Sequence, residues 1–228
     1  MFSAILGFYL AVTFQFQFPP RYSFLLQGRA DWFELPGTTR TFDGPEMRYR
    51  LELSNNDGWR SSHCLASLRE RTWPGRLLWR KPLPQRFGPR FAIVTADGSV
   101  VTLDEWEQTA SPFAVVVING KGHTVNRYAT QEIFNALGSD PRKVVALAKP
   151  GLGLWISGLP QLERDMTTVS VEAGGGKLYV NGLDGRIRFT NERTTALCKR
   201  ASTHLSPEPD PPNHSLAQPP DPPPVSRP

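Results

Sequence analysis

The residues of this chain best suited to binding an anionic ligand are arginines spaced two positions apart in predicted strands. Arg48 and Arg50 alternate with apolar residues in one segment, and Arg69 and Arg71 end another. Because side chains alternate across a strand, each pair is predicted to share one face. The planar guanidinium group matches phosphate, sulfate and carboxylate. These four arginines form a candidate anion-binding site.

Trp59 and Trp73 lie in the loops that adjoin these arginines. Indole faces stack on sugar rings and on bases, so the six residues could form a cationic patch flanked by aromatic rings. Cell-wall polymer, anionic lipid or nucleic acid would fit such a patch, and the partner is left open between an anionic polysaccharide and another anionic polymer. The alternatives are that both tryptophans fill the core and that the arginines only solvate an outer sheet face.

The net charge of +5 comes from one part of the chain. Residues 40–90 hold eleven Arg or Lys against five Asp or Glu, and the rest of the chain sums to −1. The excess is nearly all arginine, but no basic run is contiguous. A surface for an anionic partner and an ordinary solvated sheet face both explain this distribution.

A hydrolase acting on a carbohydrate or peptide is the alternative function, with Glu105, Glu107 or His123 near its site. Paired carboxylates beside Trp106 could serve glycoside hydrolysis, in which one acid protonates the leaving oxygen. Asp104 and Glu105 are adjacent and would point to opposite faces of a strand, so only Glu105 and Glu107 could cooperate. The competing interpretation is a loop exit with solvated acids.

Other motifs give no catalytic or cofactor site. No Gly-x-Ser-x-Gly motif accompanies His63 or His123. The Gly151–Gly153 pair lacks a third glycine and precedes a predicted strand at 154–156. The chain has no CxxC motif and no Cys/His spacing typical of zinc, so we predict no metal and no cofactor. Cys64 and Cys198 could form one disulfide in an exported protein, or remain buried thiols in a reducing compartment.

The strongest structural signal is a meander over residues 91–128. Four apolar or alternating segments are joined by tight turns, of which Asp97-Gly98 suits a type I′ hairpin with both residues at positive φ. The continuous apolar run at 113–118 predicts a strand covered on both faces. A short helix should follow, with Thr130 as its cap, Glu132 in its first turn and Gly138 at its end.

Similar patterns flank this unit. Residues 47–53 alternate, residues 64–68 and 77–79 are strand-like, and further short strands with Gly-rich turns follow as far as residue 189. The spacing of about 40–50 residues is typical of propeller blades, although three units are too few to close a ring. We predict an all-β domain at 40–193, built of antiparallel meander repeats, propeller-like or sandwich-like, with one short helix.

One stretch carries a resemblance. The segments RLLWRKPL (76–83) and GPRFAIVTADGSVVTLDEW (88–106) resemble a pattern in uncharacterised bacterial exported proteins with propeller-like strand repeats. The resemblance covers residues 41–128 and implies export from a bacterial cell. It carries over no catalytic or binding residue.

The two ends of the chain differ from the middle. Residues 1–20 begin with an uncharged apolar run, predicted as an export signal first, a membrane anchor through residues 1–18 second and a buried strand third. Residues 206–228 are rich in proline and are predicted to be disordered. The sequence thus favours a non-enzymatic binding or scaffold module that is exported, whether periplasmic, cell-surface or membrane-anchored.

Overall fold

The computed structural model describes residues 34–72 and 75–191. Within them the chain is mostly β, with three antiparallel four-stranded sheets and two helices. The predicted export or anchor segment, the predicted tail, Trp73 and Cys198 lie outside the described residues. The strands are β1 Thr39–Asp43, β2 Tyr49–Ser54, β3 Cys64–Glu70, β4 Arg76–Leu83, β5 Pro89–Val94, β6 Val100–Glu105, β7 Val115–Ile118, β8 Thr124–Tyr128, β9 Gln161–Leu162, β10 Thr168–Ala173, β11 Gly176–Asn181 and β12 Ile187–Asn191.

The first sheet is a meander in the order β1-β2-β3-β4. Burial alternates along β2, where Tyr49, Leu51 and Leu53 point inward and the residues between them point outward. Leu51 pairs with Leu68, which in turn pairs with Trp79. This inward row forms one wall of a core, and a short 3₁₀ turn at Pro45–Met47 connects β1 to β2.

The second sheet, β5-β6-β7-β8, confirms the predicted meander. Every residue of β6 and β7 is buried, as the continuous apolar run of β7 predicts. Alternate residues of these strands enter two different clusters: Val100 and Val116 face the first sheet, whereas Val101 and Val117 face the other side. The second sheet is therefore the middle layer of the described fold.

The turn between β5 and β6 is not the type I′ turn that the Asp97-Gly98 pair predicts. Only Gly98 has positive φ (83°) in the β5–β6 turn, while the side chain of Asp97 accepts a hydrogen bond from Ser99 Oγ at 2.7 Å. The N–H groups of Thr95 and Gly98 bond to the carbonyls of Ser99 and Thr95. Three residues rather than two therefore form the loop, and a glycine is needed at its last position.

Two helices follow the second sheet: α1 Thr130–Leu137 and α2 Pro141–Leu147. The first was predicted, but its cap is Ala129, whose N–H donates to the Glu132 carboxylate at 2.7 Å. Thr130 instead donates its hydroxyl to the carbonyl of Ser111 at 3.2 Å. Gly138 ends the helix in the left-handed conformation, as expected.

The third sheet has the order β12-β11-β10-β9. Its buried residues, among them Val169, Val171, Leu178 and Val180, pack with both helices against the second sheet. The predicted strand at 154–156 is wrong: Trp155 is fully buried there, but only Ile156 makes a single bridge, to Ala173. Continuous apolar character at this place reflects burial in a loop rather than pairing in a sheet.

Candidate functional site

The outward face of the first sheet carries a group of arginines. Cross-strand pairing sets Arg50 directly opposite Arg69, and Arg80 opposite Ser67, one pair further along the same face. Arg71 follows β3 at the same parity. We call Arg50, Arg69, Arg71 and Arg80 the basic face. By the alternation of side chains along the strands, Asp43 and Glu52 lie on the same face of the sheet as these four arginines. The basic face therefore has an excess of two positive charges.

Asp43 pairs with two of these arginines. Arg50 holds it with two hydrogen bonds, of 2.7 Å from Nε and 3.0 Å from Nη2, and Arg71 Nη1 lies 3.4 Å from Asp43 Oδ1. The hydrogen bond from Arg50 is the main reason why the pKa of Asp43 lies below its ordinary value. Because Asp43, Arg50 and Arg71 are all partly exposed to solvent, these contacts position the three side chains more than they stabilise the fold.

Glu70 pairs with two further arginines at the end of the sheet. Arg76 Nη2 lies 3.4 Å and Arg48 Nη2 3.9 Å from its carboxylate. Arg69 and Arg80, by contrast, form no ion pair within the described residues. Both side chains are exposed, so two guanidinium groups on one face remain available to an anion.

Of the six predicted site residues, Arg50, Arg69 and Arg71 lie on the basic face, whereas Arg48 precedes β2 in a helical conformation and pairs with Glu70 instead. Trp59 does not join them. It is only 8% exposed, its ring lies 5.7 Å from that of Phe87, and its indole N–H donates to the carbonyl of Pro36 at 2.7 Å. Trp59 therefore fills the core, which was the alternative interpretation. Trp73 lies outside the described residues.

A different tryptophan contacts arginines. The guanidinium carbons of Arg40 and Arg90 lie 4.7 Å and 4.3 Å from the ring centroid of Trp106. Arg40 Nη1 also donates to the carbonyl of Pro89 at 2.8 Å, and Arg90 donates to the carbonyl of Gly151. These contacts hold loops in place, because both guanidinium groups are engaged with backbone. Sequence reasoning missed the cluster, whose members lie far apart along the chain.

Asp104 and Glu105 are buried, so the expectation of solvated acids at a loop exit is wrong for these two residues. Asp104 has a φ of 55° and accepts hydrogen bonds from the N–H groups of Leu154 (2.5 Å) and Glu105 (3.0 Å). Burial raises the pKa of Asp104 to about 7. Glu105 accepts a hydrogen bond from Ser111 Oγ at 2.6 Å, and burial raises its pKa too.

Two of the residues assigned to the alternative hydrolase site, Glu105 and His123, lie at opposite ends of a strand. Glu105 is the last residue of β6. The exposed His123 lies in the turn after β7, near Ile118, and Ile118 pairs with Val100 at the other end of β6. About five residues of strand, or about 17 Å, separate the two groups. Glu107 is engaged with Arg86 at 3.4 Å. Glu105 and His123 therefore do not converge on one pocket.

A groove of about 650 Å³ lies between the β4 edge of the first sheet and β8, the edge of the second sheet. Lys81 and Arg127 contribute positive charges to it, Phe113 an aromatic ring, and Pro82 and Pro84 apolar surface. Among the residues that the structure describes, no acidic side chain lines the groove. No local pattern predicts this groove, because β4 and β8 are more than forty residues apart along the chain.

Neither helix within residues 34–72 and 75–191 is long and apolar enough to cross a bilayer. In the same ranges, no three His, Cys, Asp or Glu side chains gather closely enough to hold a metal ion. Comparison with the models of known protein families gives no match, and a search of curated proteins finds no similar sequence. The basic face and the groove are therefore the two features of the described residues that bear on function.

Proposed function

We propose that this protein is a non-enzymatic, extracytoplasmic binding module whose basic face holds an anionic polymer. The observation that supports it most is the direct cross-strand pairing of Arg50 with Arg69. Like charges directly opposite each other destabilise a sheet. Asp43 compensates Arg50, but Arg69 lacks an acidic partner among the described residues. A bound phosphate, sulfate or carboxylate would supply the missing negative charge and accept forked hydrogen bonds.

The breadth of the basic face favours a polymer over a small molecule. The face spans β2, β3 and β4, which lie about 4.8 Å apart. Arg50 lies opposite Arg69, and Arg80 lies one pair further along, opposite Ser67. A chain with repeated negative groups can contact several of them together, which strengthens binding without any single deep pocket. Export rests on the apolar character of residues 1–18 and on the resemblance to exported proteins.

The experiment measures affinity of the full chain for heparin as a function of salt concentration. Affinity should fall as salt rises, and the slope of log affinity against log salt should decrease by about one for each contacting arginine that is removed. The test variant is Arg69→Ala with Arg80→Ala. Arg164→Ala with Lys149→Ala removes the same charge from exposed positions outside the first sheet.

If both double variants lower the slope equally, binding depends on net charge alone and the assignment to the basic face is wrong. Mass spectrometry of the mature protein tests the location: a first residue near position 20 supports cleavage on export, whereas an intact Met1 in a cytosolic fraction contradicts it.

A further inference from the structure

We infer that the groove between β4 and β8 binds one acidic sugar unit of the polymer, so that the ligand is an acidic polysaccharide. This inference rests on the proposed function and goes further by naming the chemical class of the ligand. It depends on three observations. Lys81 and Arg127 line the groove without a carboxylate among its described lining residues, the aromatic ring of Phe113 lies among apolar side chains, and the groove continues the basic face.

The two cations are suited to a carboxylate or sulfate. Lys81 Nζ donates to the carbonyl of Gly122 at 3.0 Å and to Thr124 Oγ1 at 3.3 Å. An ammonium group has three donors, so one remains for a ligand. Arg127 is exposed on β8 and forms no ion pair within the described residues. An anionic substituent between the two groups would therefore meet uncompensated positive charge.

Phe113 provides a surface for a ring. Its N–H donates to Ser111 Oγ at 2.9 Å and its carbonyl accepts from Gln85 Nε2 at 3.3 Å, so the backbone of this residue is held on both sides. Pro82 and Pro84 extend the apolar surface across the groove. The C–H face of a sugar ring packs on such a surface, while its hydroxyl groups remain in water.

A sugar fits these observations better than a nucleobase does. Proteins that bind single-stranded nucleic acid present several aromatic rings on which successive bases stack. Phe113 is the one aromatic residue among the described residues that line this groove, and the guanidinium carbon of Arg127 lies 5.9 Å from the centroid of its ring. One ring and two cations correspond to one unit that carries both an apolar face and a charge.

The groove also continues the basic face. Pro82 lines the groove and follows Arg80 by two residues on the same side of β4. Two residues of strand span about 7 Å. Because β4 is the edge of the first sheet, a polymer that contacts Arg69 and Arg80 can pass over this edge into the groove.

The test compares three probes with the full chain by titration calorimetry: polygalacturonate, neutral dextran and oligo(dT). The groove variants are Arg127→Gln and Phe113→Leu, and Lys121→Gln is the control because Lys121 is exposed in the neighbouring turn but does not line the groove. We expect Arg127→Gln to weaken polygalacturonate binding about tenfold, as is typical for loss of a charge-assisted contact. Phe113→Leu should weaken it as well, because it removes the aromatic surface on which the sugar ring packs. The control should have little effect, and dextran should not bind.

The outcomes separate this inference from the proposed function. If Arg69→Ala with Arg80→Ala weakens polygalacturonate binding but neither groove variant does, the basic face binds the polymer and the sugar site is wrong. If the groove variants weaken oligo(dT) more than polygalacturonate, the occupant is nucleic acid and the inference is overturned. If heparin binds the unmodified protein but polygalacturonate does not, the sugar site is wrong while the proposed function stands. If heparin, polygalacturonate and oligo(dT) all fail to bind, the proposed function itself fails.

Discussion

The replacement Asp104→Asn should remove a pH dependence of folding stability that the buried carboxylate creates. Asp104 is fully buried, and its pKa rises from 3.8 to about 7 chiefly because burial disfavours the charged form. The neighbouring Glu105 acts in the same direction, while the N–H groups of Leu154 and Glu105 and the charge of Arg90 oppose it. Between these two pKa values the folded state keeps a proton that the unfolded state has released.

The sign follows from proton linkage. Since the native protein binds more protons than the unfolded chain between about pH 4 and pH 7, its free energy of unfolding decreases as pH rises through this window. One pH unit corresponds to about 1.4 kcal/mol, so the full shift amounts to about 4 kcal/mol. Above pH 7 the loss of stability caused by ionisation of Asp104 is constant. Below pH 4 this loss is absent, because Asp104 is protonated in both the folded and the unfolded state.

The assay is urea unfolding of the full chain at several pH values from 4.5 to 7. The stability of Asp104→Asn relative to the unmodified protein should increase by about 3 kcal/mol across this range, because Asn has the same shape but no proton to lose. Glu46→Gln, an exposed carboxylate, serves as the control and should give a nearly constant difference. If the Asp104→Asn difference is equally constant, Asp104 ionises normally in the fold and the reasoning is refuted.

Three further predictions concern packing and capping. Gly122→Ala should lower the free energy of unfolding in urea by about 1–3 kcal/mol more than Gly138→Ala does. Both glycines have positive φ, but only a Cβ at position 122 would lie 2.8 Å from Trp79 Cγ. Equal losses of stability would contradict this contact. Ala129→Ser should stabilise the protein by about 1 kcal/mol by adding a side-chain cap to α1, and an unchanged urea midpoint would count against it. In a Cys198→Ser background, Cys64 should react with iodoacetamide only once urea unfolds the chain. Cys64 is 1% exposed, and burial raises the pKa of its thiol to about 11. Rapid labelling of the native protein would contradict this burial.

The second sheet could be predicted from the sequence because its signals are local. Turn residues and short apolar runs alternate within forty residues, and the continuous apolar run of β7 indicates burial on both faces. An apolar run at 154–156 also predicted a strand, but Trp155 is just as buried there without belonging to one. Apolar character indicates burial, and the type of element then depends on partners that lie far away in sequence.

The candidate site was only partly predictable for the same reason. Period-two spacing predicted outward-facing arginines on neighbouring strands, and Arg50 and Arg69 do lie opposite each other, whereas Arg48 precedes β2 in a helical conformation. Asp104 was missed because its hydrogen-bond partner, Leu154, lies fifty residues further along the chain. Trp59 was misjudged as a candidate surface residue because a loop tryptophan has no periodicity to indicate which way its ring points.

The position of the groove links ligand binding to the packing of the first sheet on the second. Lys81 reaches from β4 to the carbonyl of Gly122 in the β7–β8 turn, and Trp79 packs on the same glycine. The strand edge that carries Lys81 is therefore held by contacts that also stabilise the core. A side chain at position 122 would push β4 away and move Lys81 relative to Arg127. Gly122→Ala should thus weaken polygalacturonate binding, although Gly122 contributes no charge to the groove, while Gly138→Ala should leave binding unchanged.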